Sequence, residues 1–179
     1  MTIIEIEKQI ELYKSLNKKI FVSSSFQTQS IPLLHILSSI TNDIEVMFIN
    51  TGFHFPETIS FRNEIVNLLN LNLVDVQPLV PKIQQKNANE QFYFASDPDY
   101  CCYLNKTQPL EPYLMQYDVW ISGVRADQSS VRKNMKTEQE GPFDTTRFHP
   151  MLDWNPKMIF EYRQQHQLPE HPLDKKGYQ

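Results

Sequence analysis

Long apolar runs are missing from this sequence of 179 residues, and their absence excludes a helical membrane span, which takes about 20 consecutive apolar residues. Met1–Ile10 mixes Glu and Lys among its isoleucines and so lacks the character of a secretory leader. An excess of positive charge is missing too: 17 Lys and Arg stand against 21 Asp and Glu, for a formal net charge of −4. Nucleic acid and anionic membranes call for clustered cations, so neither is an expected partner, and an anionic small ligand would need a local pocket of positive groups. Cysteine is scarce, at two residues, and Cys101 and Cys102 are adjacent, a spacing that seldom closes a relaxed disulfide. Internal repeats and low-complexity segments are absent. What is present, 40% apolar residues, suffices for a continuous core. The expectation is one domain over residues 1–179 in the cytoplasm.

Thr2 and Glu5 have capping-box spacing, and Ile3, Ile6, Ile10 and Tyr13 recur at helical intervals, which predicts an opening amphipathic helix. Lys19–Val22 reads as a short strand, followed by the hydroxyl-rich loop Ser23–Ser30 and an apolar helix over Ile31–Ile40. Ile44–Ile49 is nearly all apolar, the pattern of a strand covered on both faces. Pro56-Glu57-Thr58 opens a helix carrying Phe61, Ile65, Leu68 and Leu69. Leu73–Val76 and Val119–Ile121 predict two more strands, Asp97–Met115 a mostly helical stretch around its prolines, and Asn155–His166 a last helix. Thr137–Asp144, polar and containing Gly141-Pro142, reads as an exposed connection. The alternation predicts an α/β fold of three layers, a mainly parallel twisted sheet with helices on both faces. Ligands of such sheets lie beyond the carboxyl ends of the strands, which places the site where Ser23, Asn50 and Gly123 converge.

Ser23–Ser30 sets hydroxyls and backbone N–H groups at a helix N-terminus, a resting place for phosphate or sulfate, although an ordinary Ser-rich cap accounts for the same residues. Asn50–Thr58 places Thr51 at the ligand edge, and Gly52 permits close approach to a base or sugar. A plain strand-to-helix turn, with His54 packing or on the surface, is the other reading. Gly123–Arg132 leaves its strand with two guanidinium groups, Arg125 and Arg132, whose forks match phosphate and sulfate oxygens; surface pairing with carboxylates is the alternative. Cys101-Cys102, with Lys106 a helical turn further on, offers two thiols beside a cation. Such a pair can ligate metal, but an iron–sulfur cluster takes four thiolates, twice the number here; two buried structural thiols are the alternative.

Read in order, these segments resemble the family of adenylyl-sulfate and phosphoadenylyl-sulfate reductases. The resemblance rests on Ser24-Ser25-Phe26, on Asn50-Thr51-Gly52 through Phe55-Pro56-Glu57-Thr58, and on Cys101-Cys102-Tyr103-Leu104-Asn105-Lys106. It continues through Trp120–Ser129 and His149–Trp154 to Leu168-Pro169, Pro172-Leu173 and Gly177-Tyr178. It implies an adenine nucleotide α-hydrolase-like fold and a substrate of adenosine, phosphate and activated sulfate. Adjacent cysteines mark the iron–sulfur branch, so the implied substrate is adenosine 5'-phosphosulfate, or its 3'-phosphorylated form, reduced to sulfite in sulfate assimilation.

In the mechanism the resemblance implies, a cysteine thiolate of the C-terminal tail attacks the sulfur and releases AMP, and thioredoxin or glutaredoxin resolves the product. Ser24, Ser25, Thr51, Gly52, Gly123 and Arg125 are then expected to contact the nucleotide, with Lys106 assisting. Cys101 and Cys102 supply two of the four ligands of a [4Fe-4S] cluster, and neither flavin nor nicotinamide is expected. A homo-oligomer is compatible with the family. Gln27 stands where many relatives have Gly, and Asn105 replaces a basic residue often found before the lysine. The sequence stops at Gly177-Tyr178-Gln179, where relatives go on to a Cys-x-x-Cys pair and the nucleophilic cysteine, so the expectation is that this tail is lacking. Two other readings are a relative of the small subunit of sulfate adenylyltransferase, whose glycine-rich pyrophosphate loop is absent here, and a nucleotide-binding module without turnover.

Overall fold

A strand sends successive side chains to opposite faces of its sheet, and the buried residues of this chain divide accordingly. The computed structural model describes residues 1–177; Tyr178, the last residue of the resemblance, and Gln179 lie outside the described residues. In β1 (Ile20–Ser23) Ile20 and Val22 join one apolar cluster and Phe21 another. In β2 (Glu45–Ile49) Val46 and Phe48 part from Met47, and in β3 (Asn72–Val76) Leu73 parts from Val74 and Val76. In β4 (Val119–Ser122) Val119 and Ile121 part from Trp120. Both faces are therefore covered, as the continuous apolar strands predict.

The two covers differ. On the larger cluster lie α1 (Ile3–Ser15) through Ile6 and Ile10, α2 (Ile31–Ile40) through Ile31, Leu34 and Leu37, and α3 (Pro56–Leu69) through Phe61 and Ile65. The other face is met by a broken helical run. It comprises α4 (Tyr93–Ser96), α5 (Pro98–Cys102), a π turn over Tyr103–Thr107, a 3-10 turn over Gln108–Leu110 and α6 (Glu111–Leu114). Of these, Leu110 and Leu114 enter the smaller cluster. The last helix, α7 (Pro156–Gln165), returns to the larger one through Ile159 and Tyr162. The capping box expected at α1 forms: Thr2 N–H donates to the Glu5 carboxylate at 2.7 Å and Glu5 N–H to the Thr2 hydroxyl at 3.2 Å. Among the described residues no helix is long and apolar enough to cross a membrane.

Among the described residues the sheet has six strands in the order β3-β2-β1-β4-β6-β5, all parallel except the edge strand β5, where β5 is Glu138–Glu140 and β6 is Thr146–Phe148. Thr137–Asp144 is thus not merely a connection, because its middle is β5, paired antiparallel from Glu138 opposite Phe148 to Glu140 opposite Thr146. The physical reason is that an edge strand is held by backbone bonds, so Glu-Gln-Glu needs no apolar alternation. A Cβ on Gly141 would stand 2.7 Å from Arg147 Cγ and from Thr145 Oγ1, so the turn after β5 closes only around a glycine. Strand order reverses between β1 and β4, which makes the crevice between their carboxyl ends the switch point of the sheet.

Candidate functional site

Three adjoining hollows follow that edge of the sheet. The first, of about 190 Å3, is lined by Ser23, Ser24, Ser25 and Ser30 on one side and by Gly123, Gln128 and Arg132 on the other. The second, of about 290 Å3, shares Ser23–Ser25 with the first and adds Phe48, Ile49, Thr51, His54 and Lys106. The third, of about 340 Å3, shares Thr51, His54 and Lys106 with the second and reaches Cys101, Cys102 and Asn105. The shared linings make one continuous crevice from the loop after β4 to the paired cysteines.

The Ser-rich loop hangs on the sheet by bonds that leave its hydroxyls in play. Ser24 N–H donates to the Met47 carbonyl at 3.1 Å, its hydroxyl accepts from Phe26 N–H at 3.1 Å, and Trp120 Nε1–H donates to the Ser23 hydroxyl at 2.8 Å. Phe26 takes a positive φ of 56° so that its fully buried ring can meet Phe48 edge to face at 5.8 Å. Ser30 makes no side-chain cap bond to α2; its hydroxyl lies 3.2 Å from that of Ser25. The reading of these residues as an ordinary cap therefore does not describe them.

In the next loop Thr51 is buried and its hydroxyl accepts from Phe53 N–H at 3.2 Å. Gly52 has φ 78°, a left-handed conformation that glycine adopts without strain, and the Lys82 ammonium faces its carbonyl at 3.4 Å. His54 stacks on Phe48 at 4.7 Å and donates Nε2–H to the Ile49 carbonyl at 3.1 Å, a packing role, while its ring still borders the crevice.

Of the residues singled out from sequence, Ser24, Ser25, Thr51, Gly123, Lys106, Cys101 and Cys102 line the crevice. Gly52 adjoins it through Thr51. Arg125 faces elsewhere. Its buried guanidinium donates from Nε to Asp127 at 3.0 Å and from Nη1 to Gln29 at 2.9 Å, in a separate hollow behind the Ser-rich loop with Gln27, Arg163 and Asp174. The guanidinium that borders the crevice belongs to Arg132, whose Nη1 donates to Gln128. Both arginines were legible as anion partners, but only the turn Ala126–Gln128 between them decides which one points inward.

Both cysteines are free, Cys102 exposed and Cys101 partly so. Beneath them Asn105 and Gln85, each buried, exchange two amide bonds of 2.8 and 2.9 Å, and Asn105 Nδ2–H also donates to the Cys101 carbonyl at 2.8 Å and approaches its sulfur at 3.4 Å. Asn105, a departure from the family pattern, is thus the internal support of the cysteine turn. Among the described residues no group of three or more His, Cys, Asp or Glu could hold a metal ion.

The sequence of residues 19–179 matches the model of the phosphoadenosine phosphosulfate reductase domain. The chain belongs to that family. Within it, the adenosine 5'-phosphosulfate reductase of Bacillus cereus (strain Q1) is 32% identical over 168 residues, covering 93% of this chain and 72% of that protein. The phosphoadenylyl-sulfate reductase of Candida auris, solved as a phosphate complex, superposes with a TM-score of 0.78 at 16% identity, over 97% of this chain and 85% of its own. The NH3-dependent NAD synthetase of Campylobacter jejuni does so with a TM-score of 0.63 at 12% identity, over 100% and 80%. Fold and family agree with the resemblance drawn from the motifs: this is the adenine nucleotide α-hydrolase-like architecture.

Proposed function

We propose that the protein reduces adenosine 5'-phosphosulfate to sulfite and AMP in cytoplasmic sulfate assimilation, residues 1–179 serving as a single nucleotide-binding domain. The observation that carries this reading is the continuity of the crevice, with hydroxyls and backbone amides at one end, two thiols at the other and the Lys106 ammonium between them. Ser24, Ser25, Thr51, Gly52 and Gly123 contact the nucleotide, Arg132 takes the phosphate, and Arg125 acts on the anion by bracing Gln29 of the loop. A substrate with its adenosine over the switch point then directs its sulfate toward Lys106.

The reaction this arrangement suits is attack by a thiolate on the sulfate sulfur. A sulfur–sulfur bond forms, the bond from sulfur to the bridging oxygen breaks, and AMP departs with the electron pair. Lys106 and Arg132 offset the charge that passes to the phosphate. The attacking thiolate comes from a cysteine other than the two present here. A dithiol reductant, thioredoxin or glutaredoxin, supplies the two electrons that free sulfite, so neither flavin nor nicotinamide is required. Cys101 and Cys102 would supply two thiolates to a [4Fe-4S] cluster; their adjacency at one end of the crevice and the amide support below them fit that role. When bound, the cluster would supply electrostatic stabilisation to the reacting sulfate.

Calorimetric titration with AMP, together with sulfite release by the full-length protein given thioredoxin, tests the proposal. AMP binding with sulfite release is the expected result. AMP binding without sulfite would favour a module that holds nucleotide and does no chemistry; no AMP binding would overturn the site itself.

A further inference from the structure

Residues 168–177, which follow α7, lie across the back of both loops that flank the crevice. Leu168, His171 and Leu173 are buried there, His171 at 2% exposure. The Thr28 hydroxyl, in the Ser-rich loop, accepts from His171 N–H at 2.8 Å and donates to the Asp174 carboxylate. The His171 ring accepts at Nδ1 from Leu173 N–H at 3.1 Å, which leaves the proton on Nε2, and that N–H donates to the Thr58 hydroxyl at 2.8 Å. Thr58 is itself 3% exposed and sits in the first turn of α3, where its N–H donates to the Phe55 carbonyl that ends the second loop. The His171 ring also packs edge to face on Phe61 of α3 at 5.3 Å.

A single short segment therefore bonds to a hydroxyl in the Ser-rich loop and to one in the first turn of α3, directly after the second loop, and the separation of these two loops sets the width of the nucleotide crevice. We propose that residues 168–177 form a strap that fixes this separation, with Thr28 and His171 as positioning residues for nucleotide binding. The inference rests on the nucleotide reading above. It adds that affinity depends on residues outside the crevice: Thr28 borders the hollow behind the loop, and His171 and Thr58 border none of the three hollows that form the crevice. Hydroxyls bonded to the segment, Thr28 partly buried and Thr58 fully, hold one geometry, and losing them frees the loops to sample others.

Thr28→Val keeps the shape of the side chain and removes the hydroxyl, whereas Thr28→Ser keeps the hydroxyl. Calorimetry with AMP should show about tenfold weaker binding for Thr28→Val, equivalent to about 1.4 kcal/mol, and affinity close to that of the unmodified protein for Thr28→Ser. Hydrogen exchange without nucleotide should quicken in Thr28→Val at residues 24–30, and in Thr58→Val at residues 50–58. Unaltered AMP affinity in Thr28→Val, or failure of Thr28→Ser to restore it, would overturn the strap. If the unmodified protein binds no AMP, the nucleotide reading fails alone, and the exchange rates still decide whether the strap holds the loops: unchanged rates would sink it.

Discussion

The two ends of the crevice are built by opposite means. The nucleotide end grows from strands β1, β2 and β4, whose side chains reach the larger core, and the Phe26–Phe48 contact ties its loop into that core. The thiol end rides on the broken run α5, π turn and 3-10 turn, where Cys102, Tyr103 and Lys106 are exposed and the buried polar support is the pairing of Asn105 with Gln85. Recognition is thus placed on rigid ground. The thiol end is anchored more lightly.

The largest effect expected from that contrast is all-or-none. In the full-length protein, Cys101→Ser or Cys102→Ser should abolish cluster incorporation, read as anaerobic iron and acid-labile sulfide, while AMP affinity stays within about twofold, a difference of about 0.4 kcal/mol. An intact cluster in either variant would remove the ligand assignment. Phe48→Ala should cost about 3–5 kcal/mol of unfolding free energy in denaturant titration and loosen the Ser-rich loop, because a fully buried ring leaves a cavity that the sheet cannot refill. A loss below about 1 kcal/mol, the range of surface changes, would mean that the loop is not tied to the core through this ring.

Next in size is Arg132→Ala, which should weaken AMP binding by about 1.5–3 kcal/mol with no change in melting temperature, since a hydrogen bond to a charged group is lost without disturbing the core. Arg125→Ala should weaken binding less and lower the melting temperature, because it removes a buried guanidinium together with its bonds to Asp127 and Gln29. The reverse order of the two arginines would return the anion contact to Arg125.

The smallest effect concerns pH. Burial, aided by Arg147 and opposed by the bond to the Lys136 carbonyl, holds the fully buried His149 imidazole below the usual histidine range. With the folded value below an unfolded value of about 6.5, the contribution to stability is complete above that pH and shrinks as pH falls below it. The melting temperature should decline over that window, and His149→Gln should flatten part of the decline. An identical profile in the variant would exonerate His149.

The nucleotide end was far more legible in the sequence than the thiol end, and the reason is physical. Apolar strands ending in Ser23, Ile49 and Ser122 announce themselves by composition, and the topology then brings their following loops together without further instruction. The direction of Arg125 was not legible, since it depends on Gln29, a partner supplied by another loop. Nor was β5, where Glu-Gln-Glu carries no apolar signal, or the positive φ of Phe26, a conformation its bulky side chain does not announce. Nor does the sequence mark His171, because its partners, Thr28 and Thr58, lie far away in the chain.

The π turn at Tyr103–Thr107 has a consequence for what spacing this chain can tolerate. In an α-helix, residues five apart sit about 140° apart around the axis; a turn closed by bonds five residues apart brings them toward one side. Cys101 and Lys106 stand in that relation and border the same hollow. The turn therefore acts as a ruler. Deleting one residue between them would leave a plausible helix and swing the ammonium by about 100°, away from the thiols, so the interval between cysteine and lysine is fixed by geometry even where the residues that fill it are free to change.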